Sequence, residues 1–147
     1  MSEIVQTRID CKFKIVKKLE GSVFSLDPKN KISRISWSGE VSENTARTLL
    51  TLGANSVEFH GYNKLILDRR ELMEFSTEAR VWIKHDLLKT RAKKIVNRVE
   101  KVAFIGAKNT RGNIFSNFLS SAIGLVFPKL DMERFQDLRQ AVIWLID

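Results

Sequence analysis

DLRQAVIWLI, residues 137–146, reads as one complete short amphipathic helix that closes an α/β domain. Asp137 can accept from the free N–H groups of the first turn, and Leu138, Ala141, Val142 and Leu145 recur at three and four residues to form one stripe that must be buried. The surface that buries it has to come from the preceding chain. Immediately upstream, Asp131 to Phe135 reads as a short final strand. Further back, Val102 to Ile105 is an apolar run stopped by Gly106, and Leu65 to Leu67 is another of the kind buried on both faces of a sheet. Helical patterns separate these runs: a long one from about Thr77 to Val96, and one beginning near Gly112 with Ile114, Phe115, Phe118, Leu119 and Ala122.

The first forty residues have the period of strands instead. Ile9, Cys11, Phe13 and Ile15 alternate with Asp10, Lys12 and Lys14, and Ser22 to Asp27 with Lys31 to Ser38 flank a DPKN turn as a hairpin. Ser42 is a plausible cap for a helix striped by Ala46, Leu49, Leu50, Gly53 and Val57, with Gly61 at its end. The order of elements predicts a single domain over residues 1–147. Its fold class is α/β, a mixed β-sheet with N-terminal antiparallel hairpin strands and a parallel C-terminal half, covered by about four helices.

Several strings in this order carry a family resemblance: WSGEVS at 37–42, KLILDRREL at 64–72, STEARVWI at 76–83, EKVAFIGAK at 100–108 and FQDLRQAVIWL at 135–145. Over roughly residues 30–147 the chain resembles the bacterial SpoIIAA-like branch of the STAS and SEC14-like (CRAL-TRIO-like) superfamily, which includes small uncharacterised single-domain proteins. The resemblance implies a SpoIIAA-like fold and a regulatory domain acting through protein contacts. Anti-sigma-factor antagonists of this superfamily carry a phosphorylatable serine in a D-S-S-G-type motif after the central strand. Here that region reads DRRELMEFSTEA, which lacks the motif and offers Ser76 and Thr77 either as a regulatory phosphosite or as a helix cap.

Composition narrows the classes of function. The 147 residues carry 25 Lys and Arg against 17 Asp and Glu, a formal net charge of +8, which favours anionic partners. Cys11 is the one cysteine, so there is no disulfide framework and no zinc site with paired thiolates. MSEIVQTRID contains no long apolar run, so no secretory signal or membrane span is expected and a cytoplasmic location is. His60 and His85 have no neighbour in sequence resembling a nucleophile, and Asp68 can pair with an arginine instead of acting as a base. The reading is therefore of a non-enzymatic protein with no metal and no cofactor.

Three binding surfaces compete. The long helix carries two apolar stripes, Val81, His85, Leu88, Ala92 and Ile95 on one side and Ala79, Ile83 and Leu87 on nearly the opposite one. A single sheet buries only one, so Trp82, Ile83, Leu87 and Ala79 are either a surface for an unidentified protein partner or a homodimer, or they pack under the chain around Met73 and Phe75. Second, Asp68 and Gly106 end two parallel strands, where ligands of open α/β sheets bind. Arg69, Lys108, Asn109 and Arg111 there suit a small anion or a lipid headgroup, although GAKNTRGN is no Walker motif. Third, nine basic residues against two acidic ones between Lys84 and Arg111 offer weak nucleic-acid contact, but without any recognition motif beside them; a solvated helix face accounts for them, and nucleic acid is not the expected partner.

Overall fold

The computed structural model describes residues 2–5, 11–106, 123–124 and 127–147, and builds them around one seven-stranded sheet whose strands lie side by side in sequence order. β1 (Ser2–Val5), β2 (Cys11–Leu19), β3 (Ser22–Asp27) and β4 (Ile32–Val41) form an antiparallel meander. From β4 onward the sheet is parallel, through β5 (Lys64–Phe75), β6 (Lys101–Ile105) and β7 (Asp131–Phe135). The turn between β3 and β4 forms as DPKN implies: Asp27 Oδ1 accepts from the backbone N–H groups of Lys29 (3.1 Å) and Asn30 (3.5 Å). Ile15 departs from the alternation. A register shift between Ile15 and Lys17 leaves its side chain 41% exposed.

The helices begin and end where their caps dictate. α1 (Glu43–His60) starts on Ser42, whose side chain accepts from Thr45 N–H, and stops at Gly61, which sits at φ 71° and donates its N–H to Ser56 O. α2 (Thr77–Trp82) starts on Ser76, which accepts from Ala79 N–H at 3.1 Å. It continues without a break through a π-helical segment (Ile83–Arg91), α3 (Ala92–Ile95) and a 3-10 turn (Val96–Arg98). α4 (Leu138–Ile146) is capped by Asp137, which accepts from Gln140 N–H at 2.8 Å. The described residues thus form three helical bodies where about four were expected, because the segment expected to be helical from near Gly112 lies outside the described residues.

Each face of the sheet has its own core. α4 lays Leu138, Ala141, Val142 and Leu145 on one face, against Cys11, Phe13, Ile32, Ile66, Ala103 and Ile105. It touches β1 at one edge of the sheet and β7 at the other. Six strand spacings laid flat span roughly 29 Å, against a helix roughly 10–12 Å across, so the sheet curls around α4. The opposite face is covered by α1 and the long helical run, through Phe24, Ile35, Trp37, Leu49, Leu72, Phe75, Ala79, Ile83 and Leu88.

The π-helical segment explains the two apolar stripes. The positions that face the sheet are Ala79, Ile83, Leu88 and Ala92, taken from both stripes at intervals of four, five and four residues. The interval of five is the wider i→i+5 repeat of a π-helix, which rotates the buried face from one stripe to the other. Ala79 and Ile83, at 0% and 1% exposure, are core positions packed with Phe75, which corrects their assignment to a partner surface. Val81 and His85 are the ones turned outward.

Candidate functional site

Asp68 and its neighbours lie where β5 is bulged against β4. Ser36 pairs with Asp68 and Ser38 with Glu71, so Trp37 alone stands opposite Arg69 and Arg70. Bulges of this kind re-aim side chains, and they are rarer between parallel strands. Here the result is a division of charge between the two faces.

On the α4 face, Asp68 is buried and gathers two arginines. Arg34 Nη2 donates to Oδ2 at 2.9 Å, Arg70 Nη2 donates to the same oxygen at 2.7 Å, and Arg70 Nε donates to Oδ1 at 3.0 Å. Burial pushes the Asp68 carboxyl up, but the bonds and charges of Arg70 and Arg34 outweigh it and hold the group below its ordinary value. The expectation that Asp68 pairs with arginine therefore holds. A carboxylate committed to two guanidiniums is a poor general base.

On the opposite face, Arg69 is 96% buried, its exposure being 4%. Its guanidinium lies over the Phe104 ring at 5.1 Å, and Nε donates to Ile105 O at 3.1 Å. Among the described residues Nη1 has no hydrogen-bond partner. Desolvation, then the like charge of Arg134, push the group down to about 10, with Asp68 offsetting part of this from across the sheet. β5 does not end at Asp68 as expected but runs on to Phe75, and Arg69 stands one residue past its last pair with β6, Asp68 with Ile105. Arg134, exposed, is in register with Phe104 on the next strand, so Arg69, with its guanidinium over Phe104, and Arg134 both lie near the carboxyl ends of β6 and β7. Arg134 had no sequence signal of its own; only the pairing of β6 with β7 brings it in. Lys108, Asn109 and Arg111, expected at this site, lie outside the described residues.

The remaining candidates are placed as follows. Ser76 caps α2, and Thr77 is its exposed first residue. Trp82 and Leu87 are half-buried, with the Arg47 guanidinium 5.5 Å from the Trp82 ring. His60 and His85 are exposed, and Cys11 is buried in the α4 core with its thiol pushed up, first by burial and then by Asp27. Several residues of the basic cluster are internal ties: Arg91 bonds to Asn55 and Glu58 of α1, Arg98 to Glu58 O, and Lys101 Nζ to Trp144 O at 2.8 Å. No group of three His, Cys, Asp or Glu able to hold a metal occurs among the described residues, and no helix among them is long and apolar enough to cross a membrane.

A second feature was not legible in the sequence. Between the sheet face opposite α4, α1, the long helical run and Ile123, Phe127 and Leu130 lies a cavity of about 150 Å³. Its walls include Ile35, Trp37 and Leu67 from the sheet, Leu50 and Ala54 from α1, Ile83, Leu87 and Leu88 from the π-helical segment, and Ile123 and Phe127. Ser33 supplies the one hydroxyl among the described lining residues.

No family model matches the sequence, and no curated protein matches it. Among solved structures the chain is similar to an uncharacterized protein from the DUF3478 family with a SpoIIAA-like fold, from Shewanella loihica PV-4. The two share 15% identity at a TM-score of 0.52, over 99% of this chain and 95% of that one. With its meander, parallel half and helix-covered face, the chain has the SpoIIAA-like fold.

Proposed function

We propose that the protein is a non-catalytic regulatory binding domain that receives a small anion, or a phosphate- or carboxylate-bearing group, at the strand ends through Arg69. The observation that carries this reading is the buried guanidinium whose Nη1 has no partner. The nearby carboxylate is committed to Arg34 and Arg70 on the other face, and the charge of Arg134, which acts on Arg69, is of the same sign. Burying an uncompensated cation is costly, and an anion between Arg69 and Arg134 removes that cost. Two groups that could do chemistry are occupied otherwise: Asp68 is held ionised by two arginines, and the Cys11 thiol is raised away from the reactive thiolate.

Thermal unfolding in buffers with and without inorganic phosphate or pyrophosphate tests the reading. The anion is expected to raise Tm by several degrees, saturably, in the unmodified protein. Arg69→Met, which keeps an apolar stem over Phe104, is expected to abolish that rise and to raise Tm slightly in anion-free buffer. A rise that survives in Arg69→Met would place the anion elsewhere.

A second reading, association with a protein partner or a second copy of the chain, is favoured by Val81. It stands 51% exposed on the outer side of the helical run, beside half-buried Trp82. In this reading the contact uses Trp82 with Val81, on a face adjoining the core positions Ala79 and Ile83.

A further inference from the structure

We infer that the apolar cavity beneath the π-helical segment is a binding site for a compact, uncharged, ring-sized apolar molecule, independent of the strand-end anion. Its described lining residues are aliphatic and aromatic, with Ser33 Oγ and the Trp37 indole as the polar exceptions among them. Such a space excludes ions and has too few polar groups to hold water, whereas apolar cavities of roughly this size take up single aromatic rings. At about 150 Å³ the space suits one ring with short substituents better than an extended acyl chain.

The cavity also has a way in. A shallower, half-polar depression on the surface is lined by Val96, Asn97, Val99, Phe127, Pro128, Lys129 and Leu130. Val96, Val99, Phe127 and Leu130 line both spaces, so this layer of apolar side chains stands between the two. Val96 and Val99 belong to the 3-10 turn and the residue after it, where the helical run ends, and Leu130 N–H bonds to Phe127 O at 3.1 Å across the opposing turn. On the inner side, the π-helical repeat turns Ile83, Leu87 and Leu88 to the cavity together, where an α-helix would turn Leu87 or Leu88 away.

The test is a titration of the full-length protein, methyl-labelled at Ile, Leu and Val, with toluene, followed by NMR and by the fluorescence of Trp37. Shifts confined to wall residues such as Ile35, Leu50, Leu67, Ile83, Leu87 and Leu88, with saturation at or below millimolar toluene, are expected. Ala54→Leu extends a side chain from α1 into the cavity. It is expected to keep the folded spectrum and Tm and to weaken toluene binding at least tenfold. Ala54→Val provides the same comparison with less added volume and is expected to weaken binding by a smaller factor. The inference is overturned if toluene shifts only outward residues such as Val81, or if the filled variants bind it as well as the parent. It is equally overturned if Ala54→Leu and Ala54→Val both unfold, which would show that no space exists there. Preference for a long-chain alcohol such as dodecanol over toluene also overturns the assignment of ligand class. Phosphate enters none of these measurements, so failure of the anion site leaves their outcome unchanged.

Discussion

Asp68 balances two arginines, buried Arg34 and half-buried Arg70. Replacing it with asparagine keeps the shape but removes the charge that compensates Arg34 and Arg70, and breaking a buried pair from one side costs about 3–5 kcal/mol. Asp68→Asn is therefore expected to shift the urea midpoint well below that of the parent, whereas an exposed-pair change such as Glu43→Gln, opposite Arg47, shifts it little. The pH dependence follows from the lowered carboxyl. Between its value in the fold and the ordinary value of about 4, the unfolded chain binds the proton more readily, so stability rises with pH in that window. Its contribution is complete above about pH 4 and is lost as the pH falls through the folded value, which Asp68→Asn should flatten in an acid titration of Tm. An arginine partner for Asp68 could be expected from the string LDRR, since Arg70 is two residues away. Arg34 could not, because it reaches Asp68 only through the parallel pairing of Ser36 with Asp68.

At the scale of elements, what was legible is what local chemistry decides. Ser42, Ser76 and Asp137 cap helices, Gly61 ends one in the left-handed conformation, and Asp27 folds its turn, all through bonds spanning a few residues. The long helical run was legible as helix but not as to which side it buries, because a 3.6-residue wheel cannot represent a stretch with an i→i+5 repeat. That gives a direct test. Deleting exposed His85 shortens the interval from Ile83 to Leu88 from five residues to four, which is the α-helical repeat, and leaves both facing the sheet. The variant is expected to fold with a Tm within about 5 °C of the parent. Deleting exposed Thr51 from regular α1 turns every later residue by about 100° and is expected to unfold the protein. Equal loss in both would show that the helical run has no such tolerance.

At the scale of the whole molecule, the outer side of the helical run is where one chain would meet another. Light scattering over a concentration series distinguishes the possibilities. A mass of twice 16.9 kDa that falls to the single-chain value in Val81→Asp supports association through Val81 and Trp82, whereas one chain mass at every concentration removes self-association from consideration. The curl of the sheet around α4 has a separate consequence, one of time. Phe13 and Ile32 are laid down early in synthesis, yet the helix that shields them from water begins only at Leu138. At roughly 5–20 residues per second, a ribosome needs roughly 5–20 s to make the chain between Ile32 and Leu138. For that interval the meander has one apolar side facing the cell, and the final nine residues of helix end its exposure to chaperones and neighbouring chains.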